Sequence, residues 1–173
     1  MSDLGKFSSV GPVGFGSLDG ARFVSHVTAD SLKKTAQLGA RVIYKGEEYV
    51  YVYNNGGSDA SIGRVMILSL LSGYSLTVSS VSGNGIPMGV VKHNSIPAGN
   101  YGWLLVRGIS PVAMESTLAT GILIAMGSDG GVLTYPTSAN TDTLKYQLLG
   151  TVISSGTGIS TTGLGQAYIK CWG

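Results

Sequence analysis

Short apolar runs alternate with turns rich in glycine, serine and asparagine along most of this chain. Residues 40–53 are typical of a β-hairpin, because Gly46 at the bend can adopt the positive φ that a tight turn needs. In the returning strand Tyr49, Tyr51 and Tyr53 alternate with valines, so the three tyrosines share one face of the strand. The pattern therefore predicts that this region opens a β-sheet.

The same pattern predicts further strands at short intervals. They lie at about residues 62–70, 74–81, 86–93, 101–108, 119–126, 131–135, 145–154 and 166–172. A single short helix is predicted between Asp30, a good N-cap, and Gly39, a good stop. Many short strands at regular spacing, with glycine-rich turns between them, indicate an all-β fold, either an antiparallel β-sandwich or a β-barrel.

Residues 1–29 differ from the rest of the chain. They are rich in glycine and serine and carry isolated apolar residues without the periodicity of a strand or a helix. We interpret them as an extended N-terminal arm that becomes ordered by lying on another surface, an ordinary ragged terminus being the alternative. The predicted organisation is thus an arm, residues 1–29, and one β-sandwich or β-barrel domain, residues 30–173, which is long enough for its own core.

Composition narrows the classes of partner. Only 12% of the residues are charged and the net charge is +2, which does not favour a nucleic-acid-binding protein. No apolar run is long enough for a membrane-spanning helix, and no secretory signal pattern is visible at the start. We therefore expect a chain made in the cytosol that contacts neither nucleic acid directly nor a membrane. Its low charge favours permanent association with other subunits, since little repulsion opposes it.

Candidate catalytic and metal-binding residues are few. His26 and His93 show no metal-ligand spacing, and Cys171 alternates with apolar residues as an inward side chain does. The carboxylates fall mostly in turns, where they cap and solubilise. No segment has the arrangement of a phosphate-binding loop or of a nucleophile elbow. We expect no catalytic residue, no metal and no cofactor, although a carboxylate pair formed only in space keeps an enzyme of β type among the alternatives.

The aromatic residues allow three interpretations. They can form the rim of the core, contact other subunits or stack on sugar rings, because tyrosine and tryptophan combine a large apolar ring with a polar group. The residues concerned are the stripe of Tyr49, Tyr51 and Tyr53, with Tyr101, Trp103, Tyr168 and Trp172 on other strands.

Several motifs carry a family resemblance. They are residues 39–42 (Gly-Ala-Arg-Val), 46–52 (Gly-Glu-Glu-Tyr-Val-Tyr-Val), Gly63, 89–91, 98–108 (Ala-Gly-Asn-Tyr-Gly-Trp-Leu-Leu-Val-Arg-Gly), 121–123 and 129–131. Together they resemble small structural proteins of tailed bacteriophages, a family that includes capsid decoration, or cement, proteins and other virion components. The resemblance spans roughly residues 38–172, with the 98–108 block as its most specific part. It implies a virion protein without catalytic residues.

A decoration protein of this kind sits on the outer surface of the phage head and binds the major capsid protein. It ties neighbouring capsid subunits together, and it stabilises the shell because it binds only the assembled form. The resemblance implies a homo-oligomer, with a trimer at threefold positions expected and a dimer at twofold axes as the alternative. An arm suits this role, since it can add a strand to a neighbour. We expect the subunit and capsid contacts to involve Phe7, Val10, Phe15, Phe23, Tyr49, Tyr51, Tyr53 and Trp172.

Besides an enzyme of β-sandwich or barrel type, two further functions remain open at the level of the sequence. A carbohydrate-binding β-module would stack a sugar ring on Tyr51, Tyr101, Trp103 or Trp172. A fibre or tail component of the virion would share the resemblance without sitting on the head.

Overall fold

The computed structural model describes residues 27–28, 36–68, 74–78, 85–127, 130–134, 148–156 and 163–171. These residues form eleven strands and contain no helix, which confirms the all-β fold. The strands are β1 (Val27–Thr28), β2 (Arg41–Tyr44), β3 (Glu47–Asn54), β4 (Val65–Leu68), β5 (Ser75–Val78), β6 (Ile86–Val90), β7 (Asn100–Val112), β8 (Leu123–Met126), β9 (Val132–Thr134), β10 (Leu148–Ser154) and β11 (Gly165–Lys170).

The predicted hairpin forms between β2 and β3. Val42 pairs with Tyr49, and Tyr44 pairs with Glu47 across the turn. Lys45 and Gly46 make the turn with φ values of 50° and 81°, and positive φ at both positions is what the type I′ turn of a two-residue hairpin requires.

The short helix predicted from Asp30 to Gly39 is wrong over its described part. Residues 36–39 form a turn, while residues 30–35 lie outside the described part of the chain. The reason is pairing with β3: the N–H of Gly39 donates to the carbonyl of Tyr51 at 2.8 Å, and the N–H of Tyr51 donates to the carbonyl of Ala40 at 2.9 Å. Gly39 has a φ of 81°, so it leads the chain directly into the sheet.

Five strands close into a barrel in the order β3, β5, β4, β6 and β7, with β7 pairing back to β3. The β3–β5 pair is parallel and the other pairs are antiparallel. Aliphatic side chains fill the interior, including Val50, Val52, Met66, Leu76, Leu104 and Val106. β6 and β7 approach so closely that a Cβ on Gly89 would meet the carbonyl oxygen of Leu105, so only glycine fits there.

The second half of β7 leaves the barrel and begins a second sheet. It pairs with β11, which continues through β10 and β8 to β9. The inner face of this sheet contributes Val112, Ile124, Val152, Ala167 and Ile169 to a second core. On the barrel side that core contains Tyr49, Tyr51, Val65, Val90, Trp103 and Leu105. The β3 strand and the first half of β7 are therefore covered on both faces.

The end of the predicted N-terminal arm forms β1 on the domain itself. Val27 pairs with Tyr101 and Thr28 with Asn100, at the start of β7. Residues 1–26 lie outside the described part of the chain. The boundary proposed at residues 29 and 30 stays a prediction.

Candidate interaction surface

The outer face of the second sheet carries a row of apolar side chains. Ile109 pairs with Tyr168, Tyr168 with Thr151, and Thr151 with Leu123, so these four positions cross β7, β11, β10 and β8 side by side. Ile109 is 49% exposed, Leu123 47%, Ile153 42% and Tyr168 39%. We refer to Ile109, Leu123, Thr151, Ile153 and Tyr168 as the outer face.

The exposure of these residues follows from strand geometry. Successive side chains of a strand point to opposite faces, and the alternate positions Ile124, Val152, Ala167 and Ile169 are buried in the second core. An antiparallel sheet with one solvated face usually alternates apolar inward residues with polar outward ones. Here four of the outward positions carry large apolar side chains, and clustered exposed apolar residues are a mark of interaction sites.

Two cations border the outer face. Arg107 on β7 pairs directly with Lys170 on β11, one step along the strands from Ile109 and Tyr168. The Arg107 Nε donates to the Tyr168 hydroxyl at 3.4 Å. Like charges placed opposite each other on neighbouring strands are unfavourable. The row therefore has a positive end.

Glu48 does not fully balance this charge. It lies opposite Arg107 in the β3–β7 register, but its carboxylate accepts a hydrogen bond from Arg41 Nη1 at 2.7 Å. The charge of Glu48 acts on Arg107 as well as on Arg41, but one carboxylate among the three cations Arg41, Arg107 and Lys170 leaves this border with a net positive charge.

A polar cluster ties the barrel to the start of the second sheet. The Glu47 carboxylate accepts hydrogen bonds from Lys92 Nζ and from the Tyr49 hydroxyl, both at 2.6 Å, and from the Ile109 N–H at 3.2 Å. The Tyr49 oxygen lies 2.9 Å from His93 Nε2, and the two rings stack with centroids 5.7 Å apart. Because Tyr49 donates its one proton to Glu47, His93 is the donor in the second contact.

The cluster shifts the titration of its members. Burial raises the pKa of Glu47, but the hydrogen bonds from Lys92 and Tyr49 and the charge of Lys92 outweigh it, so the net pKa of that carboxyl is lowered. Burial and the contact with Glu47 raise the pKa of the Tyr49 hydroxyl. Burial, together with the charge of Lys92, lowers the pKa of His93. At neutral pH Glu47 is therefore a carboxylate, while the Tyr49 phenol and the His93 imidazole are neutral.

This arrangement suits a structural connection. One Glu47 oxygen accepts from Lys92 and Ile109, and the other from Lys92 and Tyr49, so the carboxylate links β3, the segment after β6, and β7. The described residues contain no group of three histidine, cysteine, aspartate or glutamate side chains that could hold a metal ion. Within the same described ranges, no helix is long and apolar enough to cross a membrane.

Tyr49 and Tyr51, expected at a contact with other subunits, are completely buried in the second core. The expectation is corrected for both, because the second sheet of the same chain covers the face that they share. Tyr53 is partly buried and its ring lies 5.0 Å from that of Tyr101. The other expected contact residues, Phe7, Val10, Phe15, Phe23 and Trp172, lie outside the described part of the chain.

Three of the rings proposed for stacking on a sugar are also buried in the core. Tyr51 is completely buried, Trp103 is 6% exposed and Tyr101 8%. The Tyr51 ring lies 5.0 Å from Trp103 and 5.9 Å from Tyr101. These three rings pack on one another and offer no face to a sugar, so the carbohydrate hypothesis is corrected at these positions.

Cys171 lies inward, as the alternation of β11 predicted. Cys171 is half-buried and packs against the second core, and burial raises the pKa of its thiol to about 12, so it is protonated at neutral pH. His93 is exposed, with its ring on Tyr49. His26 lies outside the described residues.

Sequence reasoning did not single out the outer face as a surface. The signal was present in β11, where Ala167, Ile169 and Cys171 alternate inward, because that alternation places Tyr168 and Lys170 outward. In β8 the signal is absent, since Leu123, Ile124, Ala125 and Met126 are all apolar and either parity could face the core.

Comparisons with known proteins show likeness at the level of solved structures. No protein-family model matches the chain, and no curated protein matches it. The fold is similar to the crystal structure of the N base of the head fibre protein gp8.5 of bacteriophage phi29, with a TM-score of 0.49 and 15% sequence identity, over 70% of this chain and 94% of that chain. A likeness of this degree identifies neither a shared function nor a shared ancestor.

Proposed function

We propose that this chain is a structural component of a tailed-bacteriophage virion, and that it acts as a decoration protein on the outside of the head. In this role it binds the major capsid protein as a homo-oligomer, most simply a trimer at threefold positions of the shell. It performs no bond-making chemistry. It strengthens the shell by mass action, because a protein that binds only assembled subunits raises the free energy needed to separate them.

The outer face is the observation that carries this proposal. A sheet whose inner side is already buried in the core presents four large apolar side chains on its other side, Ile109, Leu123, Ile153 and Tyr168. Such a surface suits a protein that works by lasting contact with other proteins.

The resemblance to phage structural proteins is compatible with the fold. Its most specific block, residues 98–108, covers most of the first half of β7, whose side chains fill the barrel interior on one side and the second core on the other. The residues of this block therefore mainly form the core of the domain, whereas the outer face is formed by other residues.

The test is attachment to heads that lack the protein. Heads purified from the phage that encodes this chain, with the gene deleted, are mixed with the purified chain and sedimented. We expect the chain to sediment with mature heads but not with the isolated major capsid protein, and to raise the temperature at which the heads release DNA. Failure to sediment with heads, or sedimentation with isolated tails instead, would contradict the proposed position.

A truncated chain separates the arm from the domain. Deleting residues 1–26 keeps Val27 and Thr28, which pair with β7, so the domain should remain folded. We expect weaker attachment to heads, because an extended segment can add main-chain hydrogen bonds to a neighbour. Equal attachment by the truncated and the complete chain would exclude a role for the arm.

A further inference from the structure

We infer that the outer face binds an apolar surface bordered by carboxylates on a different protein, and that it does not bind a second copy of this chain. The inference rests on the proposed function, in which that different protein is the shell subunit.

The apolar part of the contact is defined by the sheet. Ile109, Tyr168, Thr151 and Leu123 stand side by side across four strands, with Ile153 beside them on β10. The polar member, Thr151, is β-branched and flanked by apolar neighbours on both sides. Removing this row from water is favourable in proportion to its apolar area, and the inner side of the same sheet is already filled.

The charged part of the contact lies at one end of the row. Arg107 and Lys170 are directly opposite each other on β7 and β11, and Glu48 is bound by Arg41. Among the described residues no carboxylate forms an ion pair with either cation. A carboxylate-bearing partner would relieve the repulsion between them, and charge complementarity of this kind selects the partner and its orientation.

Among the described residues, a second copy offers no carboxylate that lacks a partner in its own chain. The described carboxylates are Glu47, Glu48, Asp59 and Glu115, and each has a partner in its own chain. Each exposed apolar side chain of the row shows less than half of its surface. The row is thus far smaller than the ~800 Å² per partner that a standard stable interface buries. A small contact is sufficient on a shell, where several linked copies bind repeated sites together.

Matched pairs of variants test the apolar part. The outer-face double variant Ile109→Thr with Leu123→Thr is compared with Ile43→Thr with Ile86→Thr, which changes exposed isoleucines on β2 and β6. Thermal unfolding confirms that each variant is folded. The probe is the gene-deleted head described above. We expect the outer-face variant to bind heads about tenfold more weakly and the control to bind within about twofold of the unaltered chain.

Charge reversal at the border of the outer face tests whether the partner carries carboxylates there. Lys170→Glu at the border is compared with Lys45→Glu at the exposed hairpin turn, which makes the same change in net charge elsewhere. We expect the first to weaken head binding by about tenfold and to reverse the effect of added salt, and the second to leave binding unchanged. Equal or tighter binding by the Lys170→Glu variant overturns the assignment of carboxylates to the partner.

The remaining outcomes are distinguishable. If the unaltered chain binds heads and the outer-face double variant binds equally well, the inference fails while the proposed function stands. If the double variant keeps head binding but loses self-association in sedimentation velocity, the outer face belongs to a second copy and the inference is overturned. If the unaltered chain does not bind heads, the proposed function fails and the inference fails with it.

Discussion

Both halves of β7 pair with neighbouring strands, but they differ in what covers them. In the first half Leu104 and Val106 fill the barrel interior, while Trp103 and Leu105 face the second core. In the second half the inward side is again buried, but Ile109 on the other side is 49% exposed. An apolar residue in a strand therefore does not reveal whether its own chain covers it or whether it is left for a partner.

A β-bulge separates the two halves. Tyr49 pairs with Leu105 and Glu48 pairs with Arg107, so Val106 is the extra residue on β7. A bulge inserts one residue and bends the strand, which shifts the parity of the side chains that follow. The face that points into the barrel at Leu104 and Val106 continues as the outer face at Ile109. The same side of one strand is thus core at one end and surface at the other.

The largest loss of stability is expected from a substitution in the first half of β7, which is covered on both faces. Trp103→Ala removes a nearly completely buried indole from the second core, where it packs 5.0 Å from the Tyr51 ring. We expect the free energy of unfolding to fall by roughly 3–5 kcal/mol, from lost apolar burial and the cavity left behind. Urea denaturation followed by circular dichroism measures this. A midpoint equal to that of the unaltered chain would show that the second core does not depend on this ring.

A smaller loss is expected at the junction of the two halves. Tyr49→Phe keeps the ring but removes the hydroxyl that donates to Glu47 and contacts His93. The free energy of unfolding should fall by about 1–3 kcal/mol, because buried groups lose a hydrogen-bond partner. Tyr53→Phe, at a partly buried tyrosine of the same strand, is the matched control. Equal values for both variants would indicate that the polar cluster contributes little to stability.

The same junction makes stability depend on pH. The folded pKa of His93 lies below its ordinary value of 6.5, so the unfolded chain takes up the proton first and stability falls as the pH drops below about 6.5. The folded pKa of Glu47 lies below 4.5, so a second loss follows as the pH falls below that value. Melting temperatures between pH 8 and pH 3 measure both. His93→Gln should remove only the first loss, and an unchanged profile in that variant would assign the acid sensitivity to other groups.

The smallest effect on stability is expected in the exposed half. Ile109→Thr keeps a β-branched residue on the strand and removes apolar surface that the chain itself does not cover. We expect the free energy of unfolding to change by less than about 0.5 kcal/mol, as for most surface substitutions. Val112→Thr, at a fully buried position of the same strand, should cost clearly more. A large loss in the Ile109→Thr variant would show that this half is covered within the chain.

The strands were predictable because their signals are local. Alternation and the turn at Gly46 identify β2 and β3, and their register follows from the two-residue turn. The strand predicted at residues 101–108 ends too early. The strand continues to Val112, since Gly108 adopts a φ of 138° beside the Glu47 side chain and Pro111 still pairs with Gln166.

The candidate surface was not predictable in the same way. The tyrosines of β3 look like a surface stripe when only the hairpin is considered, and they become core because β11, β10 and β8 fold over them. When a strand carries apolar residues on both faces, contacts between residues far apart in sequence decide which face is covered. The alternation within β11 is enough to predict that Tyr168 points outward. The outward positions of Ile109 and Leu123 follow only from the pairing of four strands.

A cryo-electron microscopy map of the assembled particle would show whether the outer face meets a shell subunit. We expect Ile109, Leu123 and Tyr168 to lie against apolar side chains of the major capsid protein, with a carboxylate of that protein within ion-pair distance of Lys170 or Arg107. A map in which this face is open to solvent, or covered by another copy of the chain, would contradict it.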